Sequence, residues 1–156
     1  MLKNLLKGIS ILFVVMLFLS HSASARVTDK EKEKINLRSG TEKVVIDSTL
    51  YLLEDKQKKW TIEEVVSGQI SGDFTRNGKN TPNFGYTSSA YWAHFEVDNQ
   101  SVQEDWLLEI SYPPLNQVTL YYFNDDGEFE ERKMGGIYPF DKRDVQHRNF
   151  VYELEI

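Results

Sequence analysis

The sequence predicts an all-β sandwich, and three observations carry that prediction. From residue 90 onward, runs of five to eight residues alternate apolar and polar positions, with turn-forming clusters between them. The chain has 156 residues, enough for one domain with a real core and too few for two ordinary ones. It has no cysteine, so that core has to hold without disulfides, and thiolate metal sites and a Cys nucleophile are excluded with them.

The chain opens with MLKNLLKGISILFVVMLFLSHSASA. Lys3 and Lys7 form a positive start, residues 9–19 are apolar, and Ala23-Ser24-Ala25 fits a small-residue cleavage site. The apolar run is short for a bilayer core, which takes roughly 20 residues. Residues 1–25 are therefore read as a secretory signal cut after Ala25, with an uncleaved anchor as the alternative. Cleavage removes two lysines and no acids, so the formal charge moves from −6 to −8 over the remaining 131 residues. An acidic domain repels phosphate backbones, and no basic stripe interleaved with aromatics is present, which argues against a nucleic-acid partner.

Residues 26–42, RVTDKEKEKINLRSGTE, are charged and poor in aromatics and read as a mobile lead-in, with the domain itself over 43–156. Two short β-rich runs follow, around 44–46 and 50–53. Thr61 and Glu64 make a capping box, with Ile62, Val65 and Val66 as the apolar side, so one short helix is expected near 61–66. Residues 68–89 are rich in Gly, Asn, Ser and Thr and read as a long loop with brief extended pieces.

The strands come next. AYWAHFEV puts Tyr91, Ala93, Phe95 and Val97 on one face, and Trp92, His94 and Glu96 on the other. DWLLEISY sets Trp106, Leu108 and Ile110 against Leu107, Glu109 and Ser111, and Pro113-Pro114 ends it. In QVTLYYF, Val118, Leu120 and Tyr122 form the core face, while Thr119, Tyr121 and Phe123 face the other way. Asn124-Asp125-Asp126-Gly127 turns this strand back into EFEERK. That cluster lacks the alternate spacing and distal Glu of a calcium loop, so a hairpin turn explains it, and no metal or other cofactor is expected. Gly135-Gly136 breaks the chain, and FVYELEI closes it with Phe150, Tyr152, Leu154 and Ile156 on one face. Alternation notwithstanding, a side chain as large as Trp92 is expected to be buried.

An ordered set of residues then resembles one family. It runs from Phe84-Gly85-Tyr86-Thr87 to Tyr91-Trp92 and Asn99, through Leu115, Val118, Leu120-Tyr121 and Gly127, to Gly135, Pro139-Phe140 and Arg143. From about residue 45 to the end, the chain resembles the type 2 extracellular domain of bacterial 7TMR-DISM receptors, seven-transmembrane receptors with diverse intracellular signalling modules. The resemblance implies a jelly-roll-like antiparallel β-sandwich similar to carbohydrate-binding modules. It also implies a role in sensing a carbohydrate outside the cytoplasmic membrane for a membrane-embedded receptor, whose seven-transmembrane portion would follow this domain. Where the family tends to carry an acidic residue after the glycine, this chain has Gly136. The chain reaches Ile156 in mid-strand, so one or more closing C-terminal strands are expected to be missing.

Sugars are held by aromatic faces against their apolar side, with carboxylates, amides and Arg on the hydroxyls. The candidate ligand-binding residues are His94, Glu96, Glu109, Tyr121, Phe123, Arg143 and Glu153, all placed on or near the face opposite the core. The alternative reading makes them ordinary outward residues of a half-solvated sheet. No Ser sits in a nucleophile-elbow context beside His94 or His147, and a carboxylate pair among 24 acids has no significance by itself, so no catalytic residue is assigned. Two functions stand: a sensory module for a carbohydrate-like molecule, or a structural ectodomain that meets a protein partner or a second copy as a homodimer. An exported glycosidase is the weakest reading.

Overall fold

The computed structural model describes residues 33–67, 70, 73–78, 81–123 and 128–156, together with the backbone of 12–19. The signal cleavage site and the turn at 124–127 lie outside the described residues. The strands are β1 (Leu12–Leu19), β2 (Lys34–Leu37), β3 (Tyr51–Asp55), β4 (Thr75–Arg76), β5 (Ala90–Asn99), β6 (Asp105–Ile110), β7 (Gln117–Phe123), β8 (Phe129–Met134) and β9 (Phe150–Glu155), with one helix, α1 (Ile62–Val66). A large sheet has the order β4-β3-β5-β1-β7-β8, with β2 added to the far end of β5, and a small sheet pairs β6 with β9. Among the described residues the protein is an all-β sandwich with a single short α-helix.

The core lies between the sheets because alternation points one face of each strand inward. Ala93, Phe95 and Val97 from β5 meet Val118 and Leu120 from β7 there, with Ile110, Phe150 and Leu154 from the small sheet. Leu108 and Tyr122 pack half-buried against them, so the core face read from the sequence is the observed one. Tyr152 crosses the sandwich, donating its hydroxyl to the Val118 carbonyl at 3.1 Å.

The outer face of the large sheet is covered as well. Leu53, Ile62, Val65 and Trp92 form a second apolar cluster, with Trp60, Phe74 and Tyr121 at its margin. Helix α1 is the lid of this cluster. Asp55, nearly fully buried, accepts the backbone N–H groups of Gln57 and Trp60 and turns the chain into the helix. The capping box then closes its first turn: Glu64 accepts the Thr61 N–H at 2.8 Å, and Thr61 Oγ1 accepts the Glu64 N–H. Thr61→Ala should cost about 1 kcal/mol of stability, read as a lowered melting temperature; an unchanged melt would mean that the apolar contacts of α1 alone hold the lid.

Two segments differ from the sequence expectation. The stretch expected as a mobile lead-in contributes β2, because Ile35 and Leu37 alternate with Lys34 and Asn36 and bury themselves in the core. Their charged neighbours hid that short signal. Residues 41–46, read as β-rich around 44–46, form no strand; Val44 and Val45 are exposed, Val45 by 57%, while Ile46 packs half-buried against the core. β1 and β2 also pair parallel with β5, whereas β3–β4, β3–β5, β7–β8 and β6–β9 are antiparallel.

Candidate functional site

The seven candidate residues do not share one face. His94, Glu96, Tyr121 and Phe123 lie on the outer face of the large sheet, whereas Glu109 and Glu153 lie on the small sheet, in β6 and β9. His94 is 2% exposed, with its ring against Tyr51 and edge-on to Phe74, so it belongs to the packing under the covering loop. Tyr121 stacks on the buried Trp92, ring centroids 6.0 Å apart. Burial, reinforced by Glu131, pushes its hydroxyl up to about 12. Glu96 meets Lys34 at 3.8 Å, and Phe123 lies against Phe129. This face is a second core more than an open platform.

Arg143 is also engaged. Its guanidinium lies over the rings of Phe140 and Phe150 and donates from Nη1 to the His147 carbonyl at 2.6 Å. It thereby pins the loop leading into β9, with His147 held on the outer side. Asp144 of that loop binds Arg132 at 2.8 Å, and Arg132 in turn covers the Tyr122 ring. These contacts close the β8 side of the sandwich.

The β6 side is open. Among the described residues β6 pairs only with β9, and a groove of roughly 750 Å³ runs along its other edge. Its floor is apolar, from Ile35, Leu37, Phe95 and Val97, and Trp106 and Leu107 lie along it. Lys43, Glu109 and His147 line it too. A volume in this range suits a small-molecule ligand, for which apolar walls with a few fixed polar groups are the usual arrangement.

Glu109 is the most firmly held of these groups. Its Oε1 accepts the Ser111 hydroxyl at 2.8 Å and the side-chain amide of Asn149, itself buried. These two hydrogen bonds, with the nearby His147 and Lys43, hold its carboxyl below the usual carboxylate range. Asn149 also donates its backbone N–H to His147 Nδ1 at 3.2 Å, so a neutral His147 carries its proton on Nε2. The site therefore presents an ionised acceptor beside a donor and a lysine. Opposite residues of β6 and β9 share a face, which puts Leu107 beside Glu153 and Glu109 beside Val151 on the outer side of the small sheet.

Sequence reasoning picked Glu109 but missed Lys43, Ser111, Trp106 and Asn149. The Glu109-x-Ser111 spacing was the one local signal for the anchor; its match to Asn149 depends on the β6–β9 register, a long-range contact. Among the described residues no cluster of His, Asp or Glu is placed to hold a metal, and no helix is long and apolar enough to cross a membrane.

Neither a curated protein nor a solved structure matches the chain. The family model for the 7TMR-DISM extracellular 2 domain matches residues 47–156, which takes in α1, every strand from β3 to β9 and the loop that carries His147. The chain belongs to the 7TMR-DISM extracellular 2 family, the extracellular domains of seven-transmembrane receptors.

Proposed function

We propose that this chain is the ligand-binding sensory domain of a bacterial membrane signalling receptor, exported by residues 1–25, and that it binds a carbohydrate or related polar small molecule. The family supports an extracellular sensory role. The observation that carries the ligand reading is the groove beside β6, whose apolar floor is bordered by polar side chains, among them Glu109, held in place by Ser111 and Asn149, with Lys43 and His147. A sugar ring fits such a groove, with its apolar face on Leu107 and hydroxyls on Glu109 and His147, because Leu107 and Glu109 share the outer face of β6. Such a domain transmits through the seven-transmembrane portion that is its covalent partner, and no catalytic step is assigned to it.

The test is a titration of a glycan panel, read through Trp fluorescence. Glu109→Gln keeps the shape but exchanges a charge-assisted hydrogen bond for a neutral one, so affinity should fall about tenfold, equivalent to 1.4 kcal/mol. Because the folded carboxyl titrates low, the ionised form and its stabilisation are complete above the normal carboxylate pKa, near 4.3. They fade as pH falls through the lower folded value, and binding should fade with them. A panel without a binder, or binding indifferent to Glu109→Gln, would sink the ligand reading.

The second reading, a protein-interaction or homodimerising ectodomain, is favoured by one observation: Leu107, Val44 and Val45 are exposed beside the same groove. Self-association that Leu107→Lys abolishes, with no glycan bound, would establish that reading instead.

A further inference from the structure

The groove beside β6 is unevenly charged. Among the described residues that line it, Glu42, Asp105 and Glu109 are acids, and Lys43 is the one permanent cation. The adjoining face of the small sheet has the same sign. The β6–β9 register sets Asp105 opposite Glu155 and Leu107 opposite Glu153, so with Glu109 this face holds four carboxylates and no basic side chain. A cleft lined by one sign of charge over apolar walls focuses that field and concentrates ligands of the opposite sign. An anionic ligand is repelled there, and a neutral one gains nothing from the field.

Glu109 gives the field a fixed centre. The Ser111 hydroxyl and the Asn149 side-chain amide both donate to its Oε1, and neither takes Oε2. Asn149 is itself buried and donates its backbone N–H to His147, so the carboxylate is held by an ordered part of the chain. These two hydrogen bonds keep its carboxyl below the usual range, and it is charged at neutral pH. A ligand hydroxyl on Oε2 makes a hydrogen bond but leaves the negative charge in place. An ammonium group supplies the hydrogen bond and the opposite charge together, and such bonds are shorter and roughly twice as strong. Lys43 already acts on Glu109 in this way at longer range, from a segment that forms no strand. Its ammonium is a hydrated point charge on a flexible stem, which a ligand cation of the same kind can replace. Leu107, exposed and two residues before Glu109 on the same face of β6, supplies the apolar contact beside it.

We infer that the ligand of this groove carries a protonated primary amine, taken by Oε2 of Glu109 beside Leu107 in competition with Lys43. This rests on the sensory reading and narrows its ligand to one class: amino sugars with a free amine. Glycans bearing carboxylates or sulfates are turned away by Glu42, Asp105 and Glu109. An N-acetyl group removes the charge while keeping the sugar skeleton, so the acetylated sugar is the direct comparison.

The experiment titrates the full chain by calorimetry with three oligosaccharides of equal length: a glucosamine oligomer, its N-acetylated counterpart and a uronic-acid oligomer. The pH is set so that the amine is protonated. The glucosamine oligomer should bind at least about tenfold tighter than the N-acetylated one. That advantage should vanish in Glu109→Gln, and also as the pH is raised until the amine is neutral. Lys43→Met should tighten the glucosamine oligomer severalfold, because the competing cation is gone. It changes an exposed residue outside the strands, so the test does not depend on Glu109→Gln folding. Glu63→Gln makes the same change of charge in the first turn of α1, on the far side of the large sheet, and should leave every affinity as it was. Equal or tighter binding of the N-acetylated or uronic oligomer, or no tightening in Lys43→Met, would overturn the inference and leave the sensory reading standing. Equal losses from Glu109→Gln and Glu63→Gln would also overturn it, reducing the binding to general attraction between an acidic protein and a polycation. Binding of none of the three overturns it as well, and if the wider glycan panel also yields no binder, the sensory reading fails with it.

Discussion

Leu120→Ala and Phe95→Ala are each expected to lower stability by about 3 kcal/mol or more, the range for deleting a large side chain from a core that cannot collapse around the cavity. Leu120 is fully buried on β7 and Phe95 is 3% exposed on β5, both facing the small sheet. Phe150 and Tyr152 close the space above them, and the Tyr152 hydroxyl is tied to the Val118 carbonyl, so the surroundings have little freedom to move inward. Leu107 is the control. It has the same chemistry and alternates on a strand in the same way, but it is 64% exposed, and Leu107→Ala should change stability by less than about 0.5 kcal/mol. Denaturant midpoints of the three variants measure this. A midpoint for Leu120→Ala equal to that of Leu107→Ala would show that the core face has been assigned to the wrong side of β7.

The same alternation accounts for what was legible in the sequence. Tyr121 and Tyr122 are neighbours, and the period of two puts them on opposite faces, Tyr122 toward the main core and Tyr121 toward Trp92. The expected capping box at Thr61 is present because it is a local device whose two bonds span three residues. Trp92 is buried, as its size requires, although it faces away from the main core. What alternation cannot state is which sheet a strand joins. Glu109 faces outward as expected, but on the small sheet, so it shares nothing with His94 or Tyr121. Likewise, an outward residue is exposed only if nothing covers it. The cover over His94 and Tyr121 comes from α1 and Phe74, whose docking is a tertiary contact with no mark at positions 94 or 121. The β6 groove is assembled from segments spread between Ile35 and Ile156, which is why only Glu109, among the proposed ligand residues, was found on it.

Gly135→Ala is expected to be as damaging as a core truncation, although it only adds a methyl group. Gly135 follows the last residue of β8 and has φ of +146°, a conformation that residues with a Cβ rarely adopt. A Cβ built there would stand 2.1 Å from the Asn116 carbonyl oxygen and 2.7 Å from the Gln117 Cα. Both are backbone atoms at the start of β7, so no side chain can rotate away. The crossing is fastened on both sides: Gly136 donates its N–H to the Leu115 carbonyl at 2.9 Å, and Ile137 donates to that of Asn116 at 3.2 Å. The methyl group has to break these bonds or distort the β7–β8 pair, and the sum of backbone strain and overpacking is about 3 kcal/mol. The adjacent glycine makes the comparison sharp. At Gly136 the nearest atom to an added Cβ is 3.5 Å away, an ordinary contact, and the residue is exposed. Gly136→Ala should therefore be neutral or stabilising by about 0.5 kcal/mol through the unfolded chain. The loop that begins here carries Arg143, His147 and Asn149, so Gly135→Ala should also loosen the anchor of Glu109 and weaken the ligand binding proposed for the groove, while Gly136→Ala leaves both intact. Melting curves and one titration decide the matter: if Gly136→Ala unfolds the domain and Gly135→Ala does not, the close approach belongs to the other glycine and β8 is displaced by one residue against β7.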